Sequence, residues 1–179
     1  MIVPGEYQVR LTVNGTSETR TFKVLPDPRL ETPHEALVAQ RDFLLELIDR
    51  LSRTNTAINS IERLIGQIEF WVERSEEALV AESAIHLQAN FERMLNELID
   101  VNMKGSQLYP SGLHEKFNAL VDSADGSDYA PPKQAREVEA MLTLQLERLE
   151  NELYDLEEGP IAEFCQEIAS TGLPAVGFS

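Results

Sequence analysis

The chain has 179 residues, of which 42% are hydrophobic and 26% charged, and 31 acidic against 15 basic side chains give it a net charge of −16. This is enough chain for one domain, or one domain with an appendage, and it is too apolar for a disordered segment. The acidity argues against nucleic acid, whose phosphates need clustered Lys and Arg, and against anionic membrane surfaces.

The first 25 residues read as a β-hairpin. Tyr7, Val9, Leu11 and Val13 alternate with Glu6, Gln8, Arg10 and Thr12. Asn14-Gly15 tolerates the positive φ of a type I′ turn, and Phe22 and Val24 alternate on the return strand. A lone hairpin is marginal in water. This one therefore reads as the end of a larger sheet, its apolar face (Tyr7, Val9, Leu11, Phe22, Val24) expected to pack on the helices or to pair with a second copy.

Residues 26–31 form a stiff linker, because Pro26 and Pro28 cannot donate to a ladder and restrain their predecessors. Residues 32–179 read as a helical bundle domain. Thr32 is expected to cap the first helix, with Pro33 at its first position and Glu35 completing a capping box. A seven-residue repeat follows. Leu37, Leu44, Leu51, Ile58, Ile65 and Val72 hold one position, and Gln40, Leu47, Thr54, Ile61 and Ile68 the position three further on. This is the seam of a bundle or coiled coil about 60 Å long. Gln40 and Thr54 interrupt it and are expected to fix register or face a wet gap.

The phase breaks near Arg74-Ser75, where a turn is expected with Ser75 as a cap. A second seam runs Val80, Ala84, Leu87, Phe91, Met94, Leu98, Val101, and Lys104-Gly105-Ser106 is expected to end that helix. A loop through Leu108-Tyr109-Pro110 precedes a short helix with Leu113, Phe117, Leu120 and Val121 on one face. Residues 122–130 read as another loop. Pro131-Pro132 opens a helix striped by Ala135, Val138, Leu142, Leu146, Leu149, Leu153 and Leu156, which Gly159-Pro160 is expected to kink or end. Ile161, Phe164 and Ile168 mark one more helical stretch, terminated by Gly172. The fold class is mainly α: an antiparallel bundle of three to four helices with an N-terminal β-hairpin.

Chemistry is sparse. The single cysteine, Cys165, allows neither an intrachain disulfide nor a Cys-based zinc site, and reads as a buried small hydrophobe. His34, His86 and His114 have no partner at metal-ligand spacing. Asp122, Asp125 and Asp128 lie in an acidic stretch that lacks the EF-hand pattern. Asn14-Gly15-Thr16 matches a glycosylation sequon, but a hairpin turn accounts for it fully. Glycosidases need two carboxylates roughly 5–10 Å apart across a cleft. Here Glu137, Glu147, Glu150, Glu152, Glu157 and Glu158 fall opposite the apolar stripe and read as a solvated face. Phe70, Trp71 and Tyr154 could stack a sugar, although Trp71 at the end of the first seam suits the bundle's end better. The sequence thus yields no catalytic, cofactor-binding or metal residue. No apolar run approaches the roughly 18 residues of a membrane span, and the first residues lack a signal-peptide pattern.

One junction carries a family likeness. Val3-Pro4-Gly5-Glu6-Tyr7-Gln8-Val9-Arg10-Leu11-Thr12-Val13, then Asn14-Gly15, then Val24-Leu25-Pro26-Asp27-Pro28-Arg29, resembles the C-terminal region of bacterial BNR-repeat, sortilin-like (VPS10-type) β-propeller proteins, often labelled sialidase-like or glycosyl hydrolase. Leu108-Tyr109-Pro110 with Leu113, Ala124-Asp125 with Pro131-Pro132 and Gln134, and Phe164 with Leu173-Pro174 resemble later elements of that region. Pro132 stands where the family pattern has Thr, and Cys165 where it has Asn. The resemblance implies a propeller upstream that carries any sugar-binding or catalytic groups, and an exported or cell-envelope setting. It implies a non-catalytic structural and interaction module whose partner is the parent's propeller or sheet, or a second copy through the hairpin. The alternatives are a free-standing coiled-coil oligomer or prefoldin-like chaperone, and part of a glycoside hydrolase. Prefoldin-like chains place their strands between two helices, whereas here the strands come first.

Overall fold

The computed structural model describes residues 2–75, 77–100, 112–126 and 128–171. It is mainly helical, with an N-terminal antiparallel hairpin. Strands β1 (Gly5–Val13) and β2 (Thr16–Val24) pair from Gly5 with Val24 to Val13 with Thr16. Asn14 and Gly15 have φ of 49° and 80°, the left-handed pair that a type I′ turn requires.

Helix α1 (His34–Val72) is a single unbroken rod. Against it run two composite rods. Helices α2 (Ala78–Leu98) and α3 (Leu113–Asp125) follow one another back along α1. Helix α4 (Lys133–Leu156), a π turn (Glu157–Ile161) and α5 (Ala162–Ser170) return in the direction of α1. Contacts fix this order. Arg136 meets Glu46, Arg50 meets Thr143 and Arg53 meets Glu150, so α4 climbs with α1. Arg93 meets Glu152 and Arg148 meets Glu97, so α2 and α4 are antiparallel.

Both heptad seams are core. Leu37, Leu44, Leu47, Ile58, Ile61 and Ile68 are buried, with Leu51, Ile65 and Val72 partly so. The burial is wider than a two-helix seam, because Phe43, Ala57 and Trp71 add a third column. That column meets the second neighbour, as a three-rod bundle demands. Val80, Ala84, Leu87, Phe91, Met94 and Leu98 are all buried, as are Leu142, Leu146, Leu149 and Leu153. Val138 is 40% exposed, although the stripe includes it. Of the two polar interruptions, Gln40 donates through Nε2 to the Ala124 carbonyl and so ties α1 to the end of α3. Thr54 returns its hydroxyl to the Arg50 carbonyl, 2.8 Å away.

Several boundaries differ from expectation. Helix α1 begins at His34, with Pro33 as its cap and no side-chain cap bond. Pro33 sits at φ −59° and ψ 146°, an extended conformation outside the helix, and its carbonyl accepts from Ala36 and Leu37. The expected capping box does not form, and among the described residues the Thr32 hydroxyl is buried without a partner. Glu35 still serves the first turn as an acid near the positive end of the helix dipole. Ser75 caps no helix. Its Oγ accepts from the Glu77 N–H at 3.2 Å within the turn. Helix α2 stops at Leu98, where Ile99 turns extended. Val101, Lys104-Gly105-Ser106, Leu108-Tyr109-Pro110 and the terminal Gly172 and Leu173-Pro174 lie outside the described residues. Helix α3 runs on to Asp125, so Asp122 and Asp125 are helical rather than in a loop.

Gly159-Pro160 does not end the third rod. Pro160 has no N–H for the carbonyl four residues back, Leu156. A π turn there bonds from i to i+5, so Ile161 can reach that carbonyl and the helix passes through.

Gly112 is the residue on which the broken second rod closes. A Cβ there would lie 2.6 Å from the Ile99 Cα and 2.8 Å from its N. Backbone cannot yield as a flexible side chain can. Gly112→Ala should therefore cost more than about 1 kcal/mol in a chemical melt, and no loss would place the two helix ends further apart than described. Ile58→Asp buries an unpaired charge and should cost about 3–5 kcal/mol, abolishing the cooperative helical melt. Exposed Glu147→Ala should stay within about 0.5 kcal/mol. Similar losses at both positions would contradict the assignment of the core.

Candidate interaction surface

The hairpin stands off the bundle. Its two-residue turn makes Val13 and Thr16 a hydrogen-bonded pair, so the odd residues of β1 and the even residues of β2 bond inward. Those same residues share one face: Tyr7, Val9, Leu11 and Val13 beside Glu18, Arg20 and Phe22. Tyr7 stacks on Phe22 with ring centroids 5.9 Å apart. Among the described residues the helices do not cover this face, so of the two expected covers, the helices or a second copy, the first is absent. Val9 is 54% exposed, Leu11 65%, Val13 56% and Phe22 46%. The opposite face is polar, with Thr12 bonded to Ser17 at 2.8 Å and Arg10 reaching Thr19 at 3.4 Å.

Among the described residues, the hairpin meets the bundle at its root. Val3 is buried, and its carbonyl accepts from the Tyr7 hydroxyl at 2.6 Å. Pro4, Leu25, Leu30, Leu37 and Asp128 surround a small hollow there. The linker is a turn rather than a plain spacer. Asp27 accepts from the Arg29 N–H at 2.9 Å and from its guanidinium at 2.6 Å, and Leu30 N–H closes on the Asp27 carbonyl at 3.1 Å. Asp at the first position and Pro28 at the second suit such a turn. Two prolines and this clasp aim the hairpin away from the rods.

The residues considered for chemistry are scattered. His34 begins α1. His86 lies mid-α2 beside Asn90, whose side chain bonds its carbonyl. His114 pairs with Glu115 at 3.2 Å. Among the described residues no three His, Cys, Asp or Glu side chains are grouped to hold a metal ion. No described helix is long and apolar enough to cross a membrane. Trp71 is buried against Ile68, Phe164 and Ile168, whereas Phe70 is 38% exposed beneath the Arg74 guanidinium. Tyr154 lines a separate open groove with Ser52, Thr56 and Ser60, so the three aromatics form no shared platform.

Two readings need correction. Cys165 is exposed rather than buried. It sits on the outer rim of an apolar hollow lined by Leu64, Trp71 and Ile168, and partial burial of the thiol raises its pKa. Glu150 and Glu152 are not simply solvated. Glu150 holds Arg53 in a two-pronged contact between α1 and α4, and that contact raises the Arg53 pKa. Glu152 holds Arg93 between α4 and α2. Glu97 binds both Arg93 and Arg148. In each of three bridges an arginine of one rod meets an acid of another, and Arg93 also meets an acid of its own helix. The signal was present in the sequence as Arg at 50, 53, 93 and 148, but pairing it required knowing which rods adjoin.

No protein-family model, curated protein or solved structure matches the chain.

The Asp27 carboxyl is held below its ordinary value of 3.8, first by the Arg29 side chain and then by the Arg29 N–H. Since the folded value is the lower one, the clasp is intact above the ordinary value and opens as pH falls through the depressed one. Carboxyl chemical shifts should show Asp27 titrating below 3.8, and Arg29→Ala should move it back up. An unchanged titration would remove Arg29 from this account.

Proposed function

We propose that this chain is a non-catalytic structural and interaction module, of the kind that follows the propeller in BNR-repeat, sialidase-like proteins. The hairpin docks on a β-sheet outside the bundle, and the three-rod bundle is the brace that holds it. The observation that carries this reading is the apolar face of Val9, Leu11, Val13 and Phe22, left open to solvent on a paired hairpin. Contiguous exposed apolar surface of this kind marks interaction sites, and unpaired strand edges favour strand addition. The junction from Val3 to Arg29 supports the propeller parentage through its family likeness.

The bundle supports the bracing role. Glycosidase chemistry needs a carboxylate pair with room for a sugar between them. Here Glu97, Glu150 and Glu152 are each engaged by an arginine from a neighbouring rod.

Two measurements test the reading. The reading frame upstream of Met1 should encode BNR-type repeats, and unrelated sequence there would defeat the parentage. The purified chain should release no product from sialosides or aryl glycosides. Turnover that survives repurification and is lost on changing one carboxylate pair would overturn the non-catalytic role.

A further inference from the structure

We propose that the free edge of β1 pairs with the same edge of a second copy, Gln8 opposite Gln8, so that Glu6 of each copy faces Arg10 of the other. This rests on the hairpin being the docking element, as argued above, and names the partner of one of its two edges.

The register of the hairpin decides which groups point outward. Odd residues of β1 bond to β2, so the N–H and C=O groups of Glu6, Gln8, Arg10 and Thr12 face away from it. An antiparallel pairing centred on Gln8 places residue 6 against residue 10, and residue 10 against residue 6. Opposite charges then meet twice, which is the complementarity that a two-fold interface requires. Centring on Glu6 sets acid against acid, and centring on Arg10 sets base against base. The outward residues of β2 are Ser17, Thr19, Thr21 and Lys23, which have no acid to offer. Only the β1 edge is self-complementary.

Three further observations agree. Neither Glu6 nor Arg10 belongs to an ion pair among the described residues, whereas Glu18 and Arg20 pair with each other at 2.5 Å. Lys23 lies across from Glu6 on β2, so in the joined sheet Glu6 sits between two bases. The hairpin is also the part of the chain suited to self-contact, with two acids and three bases between residues 5 and 24 in a chain of net charge −16. In this register the two hairpin roots lie about 30 Å apart, well beyond the Debye length of about 8 Å.

Pro4 bounds the ladder, since it would stand opposite Thr12 and has no N–H. The product is a four-stranded sheet in the order β2-β1-β1-β2, past the size at which a hairpin is marginal. Its apolar residues fall on one side, with Val9 of each copy opposite Tyr7 of the other. That side, and the β2 edges, remain open for the docking proposed above.

Sedimentation equilibrium of the full chain tests this. The unaltered chain should dimerise in the micromolar range. Glu6→Arg and Arg10→Glu should each weaken the dimer about tenfold or more, and the double exchange Glu6→Arg with Arg10→Glu should restore it to within about threefold. Gln8→Pro removes an outward N–H and should give monomer, while Thr21→Pro on the other edge should leave the dimer intact. Helical melts of each variant check that the bundle persists. A monomeric parent chain, or a dimer indifferent to the single charge changes, overturns the pairing. Neither result touches the parentage or the absence of turnover, which the earlier measurements decide.

Discussion

The buried face of α1 is the constraint on which the rest depends. It is 39 residues without interruption, and Phe43, Leu47, Ile61 and Trp71 bury along its whole length. In a protein most of a helix's stability comes from packing its apolar face, and this face runs the length of α1. No other helix in the described chain is long enough to cover it. Each of the other two rods is therefore assembled from two helices, and each assembly needs a local device. Between α2 and α3 the device is Gly112, whose missing side chain lets backbone meet backbone. Between α4 and α5 it is the π turn, which carries the rod across Pro160.

Those two devices were not equally legible. Gly159-Pro160 signals a disturbance, but whether a proline ends a helix or is absorbed depends on what the flanking turns bury. Ile161, Phe164 and Ile168 still had α1 to cover, so the rod continued. Gly112 carries no comparable signal, because close approach between distant backbones leaves no mark in local pattern. The seams, by contrast, could be read directly: every described residue of the second seam is buried. Repetition at seven encodes a face, and a face is what packing selects. Caps were less legible for a specific reason. Pro33 can start a helix or precede one, and its fixed φ suits both.

The charge pattern shows the same limit. A stripe of glutamates opposite a leucine stripe looks solvated when one helix is considered alone. In a three-rod bundle, positions flanking the stripe face neighbouring helices, and Glu150 and Glu152 occupy such positions. Arginine's planar fork can hold an acid there while its stem covers apolar surface. The bundle thus keeps a large net negative charge and still knits its rods together.

The hairpin inverts this economy. It has pairing but no core, and its apolar side chains face water on a scaffold that could have covered them. The linker between them is a proline turn that Asp27 and Arg29 clasp. A hairpin held so is marginal by itself, so whatever pairs with it also completes its folding. Affinity would then be lowered by the ordering cost while specificity is kept by register, because a slip of one residue would turn the apolar face over.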